Sequence, residues 1–309
     1  MQPRSRWKPI NGVLLLDKPV GLSSNDALQK ARRLFQAARA GHTGTLDPLA
    51  SGLLPVCFGE ATRFAGMMLD ADKEYLAQVC LGVRTTTGDA EGEVIETREV
   101  SVDEYALHRA VHAHVGDIEQ VPPMHSALKH EGKPLYEYAR AGETIERAVR
   151  HVRILEIELL DVRLPAFSMR VLCSKGTYIR TLAEDIGAML GCGAHLTGLR
   201  RTRTGPLNLD EAVTLERIAA YNEEVRGVLL GPPDMLLQTL PSCRLGEADA
   251  LRLVNGQTVP VEAVETDSVL QEDCMVRAYR GGRFLGLVVP RHGYLRVKRL
   301  LPQESAQTS

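Results

Sequence analysis

Apolar and polar positions along this chain recur with two different periods, and those periods predict its elements. Val13 to Leu16 is an unbroken apolar run ending in the turn Asp17-Lys18-Pro19-Val20-Gly21, the pattern of a buried strand. Ala27, Leu28, Ala31, Leu34 and Phe35 then fall on one helical face, with Ser24 placed to cap that helix. Tyr75 to Leu81 is rich in strand formers and leads into a turn region, Gly82-x-x-Thr85-x-Thr87-x-Asp89. Phe167, Met169, Val171 and Cys173 alternate as one face of a half-buried strand. After Ser174-Lys175-Gly176-Thr177, residues Ile179, Leu182, Ala183, Ile186 and Leu190 predict a second amphipathic helix, stopped by Gly191. That spacing puts Tyr178 and Arg180 off the apolar face, in the first turn, where a cation opposes the helix dipole by roughly a few tenths of a kcal/mol.

Two stretches break this rhythm. Residues Val121 to Arg153 form a polar, proline-bearing insertion in which Lys129, Lys133, Tyr136, Tyr138 and Arg140 interleave charge with aromatic rings. That mixture suits a mobile element gripping an RNA backbone and stacking on bases; an amphipathic helix with Tyr136 in the core is the other reading of Leu135 to Ala141. From about Leu240 the texture turns to short strand-like runs: Val259 to Val261, Met275 to Tyr279, Phe284 to Pro290 and Tyr294 to Leu301. Gly281-Gly282 marks a hairpin turn among them. The division expected is a large domain over 1–238 and a small β-domain over 239–309, with a frayed tail from Pro302. A chain of 309 residues suits such a pair.

A net charge of −2 conceals segregation. From Met275 to Gln303 there are seven Lys or Arg residues and no acid, whereas Glu216 to Asp273 holds eleven acids and four arginines. A basic tract of this kind is the footprint of a polyanion binder, here RNA, with a solvated charged face as the bland alternative. Six cysteines are scattered without a C-x-x-C pair, which reads as buried free thiols in a reducing compartment. Cys192 and His195 have ligand-like spacing but no second pair, so no metal is expected. Arg4, Arg6 and Lys8 precede an apolar run far too short for a signal peptide, and no stretch approaches membrane-spanning length. A cytoplasmic protein is expected.

Gly41-His42-Thr43-Gly44-Thr45-Leu46-Asp47-Pro48-Leu49-Ala50-Ser51-Gly52 sets one carboxylate in a glycine- and threonine-rich loop. No Gly-Lys-Ser/Thr follows, so it is not a phosphate cradle. By itself the loop reads as a helix N-cap at Asp47 with Pro48 at the first helical position.

The surrounding pattern adds a second reading, because the loop resembles the signature of the TruB family of tRNA pseudouridine synthases. Further motifs agree in order: Gly12-Val-Leu-Leu-Leu-Asp-Lys18-Pro19 with Ser23-Ser24-Asn25, Asp72-Lys73-Glu74-Tyr75, Ser126-Ala127-Leu128-Lys129, Ser174-Lys-Gly-Thr-Tyr178-Ile-Arg180, and Gly191-Cys-Gly-Ala-His-Leu with Leu199-Arg200-Arg201. The resemblance implies an α+β fold, a mixed and mostly antiparallel central sheet decorated by helices, with a small C-terminal PUA-like β-domain. It implies isomerisation of uridine 55 in the T loop of tRNA, without cofactor, metal or obligate protein partner; for an enzyme acting on one tRNA, a monomer is the simplest expectation. A role in tRNA folding is a companion expectation.

Residue by residue, the resemblance makes Asp47 the catalytic nucleophile or base and Arg180 its partner, whose guanidinium would keep the carboxylate charged and aimed. Tyr75 would stack on a flipped uracil, an interaction worth roughly 1–3 kcal/mol. His42 would brace space vacated by displaced nucleotides, Tyr178 would contact substrate, and Leu199 would wall the uracil pocket. Lys18 and Lys129 complete the expected substrate-binding set, with Lys18 also expected to support the Tyr75 strand. A tRNA-binding protein without chemistry and a guide-RNA-dependent synthase are the rival readings.

Overall fold

The computed structural model describes residues 7–302; Arg4, Arg6 and residues 303–309 of the expected tail lie outside them. In chain order the first part runs β1 (Gly12–Lys18), α1 (Ser24–Phe35), β2 (Ala40–His42), β3 (Ala50–Phe58), α2 (Ala65–Leu69) and β4 (Lys73–Leu81). A hairpin of β5 (Val83–Thr85) and β6 (Val94–Thr97), α3 (Glu104–His112) and β7 (Gly116–Gln120) follow. Next come a second hairpin of β8 (Lys129–His130) and β9 (Lys133–Pro134), α4 (Leu135–Arg140), β10 (Arg150–Arg163), β11 (Ala166–Cys173) and α5 (Ile179–Met189). The part closes with β12 (Ala194–Thr204), β13 (Leu207–Asn208), β14 (Val213–Thr214) and α6 (Leu215–Ala220).

One ten-stranded sheet organises these elements, in the order β14-β1-β3-β12-β4-β11-β10-β7, with β2 against β3 and β13 against β12. Only β1–β14 and β3–β12 are parallel; the other pairs are antiparallel. One face packs on α1, α3 and α5 through Ala27, Leu107, Ile186 and the inward residues of β4 and β11. At β1 and β3 the opposite face is apolar, with Val13, Leu15, Leu53 and Cys57 buried. Over β4, β11 and β10 it carries charge, where Arg170 bridges Glu74, Glu156 and Glu158 at 2.6–3.2 Å. Such one-sided burial is what the alternation in β11 predicts, and its pattern is strictly alternating from Phe167 to Cys173.

Several expectations shift by a residue or more. β1 continues through Asp17 and Lys18, where it pairs with both β3 and β14. Ser23, not Ser24, is the N-cap of α1: its extended backbone lets its hydroxyl accept from the Asp26 amide at 3.1 Å. No helix follows Asp47, because Pro48 and Leu49 form a bend that delivers Ala50 directly into β3. The insertion ends before Arg150, since 150–153 pair with β7. Within it, Leu135 is the buried residue of α4 and Tyr136 is only half-buried.

The second sheet holds β15 (Ser242–Arg244), β16 (Val259–Pro260), β17 (Glu265–Thr266), β18 (Val276–Arg280), β19 (Arg283–Arg291) and β20 (Tyr294–Leu300), ordered β16-β20-β19-β18-β15-β17. Gly281 and Gly282, both at positive φ, make the two-residue turn between β18 and β19. An unexpected helix, α7 (Glu247–Val254), buries Ala250 and Leu253 against this sheet. The two sheets share a cluster in which Phe64 meets Phe284 edge to face, with ring centroids 5.6 Å apart. The basic tract is less uniform in space than in sequence. Arg280 pairs with Glu247 and Arg291 with Asp273, and Arg277 donates to the Leu240 carbonyl, while Arg296 and Lys298 are exposed.

Candidate active site

The Asp47 loop is held on both sides of its carboxylate. Ser24 sits in the first turn of α1 with its side chain inward; its hydroxyl donates to the Leu46 carbonyl at 2.9 Å and accepts from the Leu46 amide at 2.7 Å. The Gly21 amide donates to the Pro48 carbonyl at 2.8 Å, and the Ala50 amide to the Asp47 carbonyl at 3.1 Å. Gly44, at φ +149°, allows the loop its sharp entry. Asp47 itself carries no such burden, and its side chain is 39% exposed.

Arg180 reaches that carboxylate from the first turn of α5, with Nη2 2.9 Å from Asp47 Oδ2. Contrary to its helical spacing, Arg180 is buried, with only 4% of its side chain exposed. A guanidinium tolerates this because both of its terminal nitrogens meet oxygens. Nη1 donates to the Thr87 carbonyl at 2.9 Å and lies 3.5 Å from Asp89, and Nη2 also donates to the His125 carbonyl at 2.7 Å. The cation is therefore fixed between two carboxylates, and the one facing the solvent is Asp47.

Asp47 and Arg180 line a cleft of about 230 Å³ together with Tyr75, Tyr178 and Leu199. Tyr75 enters from β4 and Leu199 from β12, the strand between β3 and β4. Burial pushes the Tyr75 phenol above its usual range, partly offset by Arg201. Tyr178 caps α5; burial raises its phenol as well, and the Gln120 amide clamps its backbone at both N and O, at 3.0 and 3.2 Å. A second cleft adjoins across Asp47 and Arg180, and His42 lines it with Asp89, Glu91, His125 and Tyr136. Burial, followed by Arg201, pushes the His42 imidazole below its ordinary value.

Two expected residues are elsewhere. Lys18 has no exposed surface, and its ammonium donates to the carbonyls of Pro19 and Leu22 at 2.9 and 2.6 Å. It holds the 19–22 turn, and two strands, β3 and β12, stand between β1 and the Tyr75 strand. Burial lowers its pKa to about 8, against the opposing pull of Asp47. Lys129 is exposed in the β8–β9 hairpin, outside both clefts. The insertion carrying it is tied down at its root, because Arg147 donates to the Pro122 carbonyl at 3.0 Å and Arg180 holds His125. His195 uses Nδ1 on the Val83 carbonyl at 3.1 Å, and among the described residues no cluster suited to a metal occurs.

Residues 32–179 match the description "TruB family pseudouridylate synthase (N terminal domain)", 180–238 "tRNA pseudouridylate synthase B C-terminal domain", and 241–301 "Pseudouridine synthase II TruB, C-terminal". A protein of Cupriavidus taiwanensis called tRNA pseudouridine synthase B is 56% identical over 304 residues, covering 97% of this chain and 96% of its own. This chain belongs to the TruB family.

Another TruB relative, the tRNA pseudouridine synthase B of Cupriavidus metallidurans, is 58% identical over 303 residues, 97% of this chain and 96% of its own. Among solved structures, the archaeal box H/ACA sRNP Nop10–Cbf5 complex matches with a TM-score of 0.71 at 24% identity, over 94% of this chain and 86% of that one. An H/ACA RNP bound to a substrate RNA containing 2′-deoxyuridine gives 0.72 at 23%, over 94% and 85%. The ten-stranded sheet is thus the pseudouridine synthase fold, and the second sheet is its PUA-like C-terminal domain.

Within this TruB chain, the residue-level reading had no place for Asp89, Gln120 or Arg201. Asp89 closed a recognised turn pattern, and Arg201 stood in a recognised Leu-Arg-Arg motif. Neither pattern reveals that these charges become buried.

Proposed function

We propose that this chain converts uridine 55 in the T loop of tRNA to pseudouridine, with Asp47 as the reacting carboxylate. The observation carrying the proposal is the ion pair at 2.9 Å between a half-exposed Asp47 and a buried Arg180, in the same cleft as Tyr75. In the reaction the N1–C1′ bond breaks and a C5–C1′ bond forms. The C5 proton leaves and N1 gains one, so the composition of the nucleotide is unchanged. The target base must leave its stack, at a cost of about a few kcal/mol. Tyr75 gives it an aromatic face, Leu199 an apolar wall, and Tyr178 a further contact. His42 takes the second cleft, where it braces the displaced neighbours.

Asp47 acts by attack at C1′, by removing the 2′ proton, or by adding to the base; each route needs an anionic oxygen held towards the nucleotide. Arg180 supplies that aim, and its ion pair with Asp89 limits its own freedom. Lys129 and the insertion grip the RNA backbone, and the exposed Arg296 and Lys298 extend the contact onto the C-terminal sheet. These basic surfaces also support a tRNA-folding activity independent of Asp47. We take the protein to work in the cytoplasm as a monomer, without guide RNA or obligate protein partner, since its nearly full-length relatives at 56–58% identity are tRNA pseudouridine synthases B.

The test is tritium release from unmodified tRNA labelled at C5 of uridine, alongside filter binding. Wild type should release label from one T-loop uridine, and Asp47→Asn should bind with similar affinity and release none. Normal release by Asp47→Asn would overturn the assignment. Binding by both proteins with no release from either would leave RNA folding as the function.

A further inference from the structure

β12 carries two consecutive arginines that the strand sends to opposite faces. Arg200 lies on the charged face, 2.7 Å from Asp17 Oδ2 and 3.2 Å from Ser51 Oγ. Arg201 turns inward to the cleft floor and is 2% exposed. Removing an unpartnered guanidinium from water is costly, so its partners are informative. Nε donates to the Leu53 carbonyl at 2.7 Å, Nη1 to the Thr45 carbonyl at 3.4 Å and Nη2 to the Gly44 carbonyl at 3.3 Å. Tyr75 is the cross-strand neighbour of Arg201 on β4 and lines the same cleft.

These partners belong to parts of the site that no backbone pairing joins. The Asp47 loop precedes β3, Tyr75 lies on β4, and β12 runs between the two strands. One planar guanidinium, projecting from the middle strand, therefore reaches both. The β12 backbone comes this close to β3 because residue 52 is glycine: a Cβ there would stand 2.3 Å from the Arg201 carbonyl oxygen, at a φ of +100°. A strand-stapling role would need the Leu53 contact alone. Thr45 and Gly44 lie two and three residues before Asp47, so their carbonyls set the direction from which its backbone arrives.

We propose that Arg201 is a positioning residue for the reaction: from one guanidinium it fixes the backbone leading to Asp47 and the orientation of Tyr75. The proposal rests on Asp47 being the reacting group. Lysine cannot replace Arg201, because its ammonium lacks the planar fork that meets three carbonyls at once. Misplacing a reacting group by about 1 Å can cost on the order of 100-fold in rate.

The experiment measures single-turnover tritium release, tRNA affinity and thermal stability for Arg201→Lys, Arg201→Met, Tyr75→Phe and the Arg201→Met/Tyr75→Phe double variant, with Asp47→Asn as control. Arg201→Lys should release label about 100-fold more slowly with tRNA affinity unchanged, the loss expected when a reacting group is displaced. Tyr75→Phe should add little further loss in the Arg201→Met background, since the two side chains are cross-strand neighbours in one cleft and their effects are coupled. Wild-type rates for Arg201→Lys, or additive losses in the double variant, would overturn the proposal. If Arg201→Met does not fold, Arg201→Lys carries the rate test. Side-chain NMR of the wild type then provides the second readout: slow exchange of the Arg201 Nε proton is expected, and fast exchange refutes a fixed guanidinium. Full activity in Asp47→Asn would instead sink the reading of Asp47, independently of Arg201.

Discussion

The hydroxyl of Ser24 closes on both backbone groups of Leu46, accepting at 2.7 Å and donating at 2.9 Å, and so pins the residue directly before Asp47. Ser24 is 2% exposed, and no water can substitute for it without a cavity. Ser24→Ala leaves the Leu46 amide and carbonyl unsatisfied, a loss of about 1–3 kcal/mol. Urea unfolding should detect it. The rate of tritium release should fall further than the fraction folded explains, with tRNA affinity retained; a rate unchanged per folded molecule would mean that the loop keeps its shape without this bond.

Asp89 faces Arg180 from the side opposite Asp47, at 3.5 Å, and is itself held by the Thr87 hydroxyl at 2.5 Å and the Glu91 amide at 3.1 Å. Asp89→Asn keeps the acceptor for Glu91 but removes one of the two charges between which Arg180 is poised. Arg180 then follows Asp47 alone, and the pair gains freedom. Turnover should drop about 10-fold, a loss of aim and not of contact. Filter binding should show unchanged tRNA affinity, and equal losses in affinity and rate would argue for a direct substrate contact by Asp89.

Burial pushes the Lys73 ammonium down to about 8, and Arg201 beside it adds to the fall. The ammonium caps the end of α2 through the carbonyls of Leu69 and Ala71, at 2.7 and 2.6 Å. Below pH about 8 both the folded and the unfolded chain hold this proton, so the cost of burying the charge is fully present. Between about 8 and 10.5 the unfolded chain still binds a proton that the folded state has lost, and stability rises with pH. The stability of wild type relative to Lys73→Met should therefore increase across that window in urea titrations. A flat difference would place the ammonium in contact with water.

Phe284 ties the second sheet to Phe64 and to the shared apolar cluster. Phe284→Ala should cost about 3 kcal/mol or more, the usual range for a core phenylalanine. Because the cluster is the seam between the two sheets, unfolding should also lose cooperativity, with the C-terminal sheet melting first. Calorimetry that still gives a single two-state transition would show that other contacts hold the seam.

The sequence determined on its own whatever depends on neighbours within a few residues. The alternation in β11, the apolar face of α5, the Gly281-Gly282 turn and the texture of the C-terminal strands are all local signals, and each element lies where its period placed it. Motif order also drew the Asp47 loop, Tyr75, Arg180 and Leu199 into a single expectation. Tertiary structure decided which polar side chains are buried. Spacing put Arg180 on an exposed helical face, yet it is buried because Asp47, Asp89 and two carbonyls converge on it from distant segments. Lys18 and Arg201 entered the interior, and Ser24 left the capping position to Ser23, for the same reason. A charge or hydroxyl stays inside only where the fold brings enough oxygen or amide partners to replace water, and that count is a property of the assembled chain, not of any window along it.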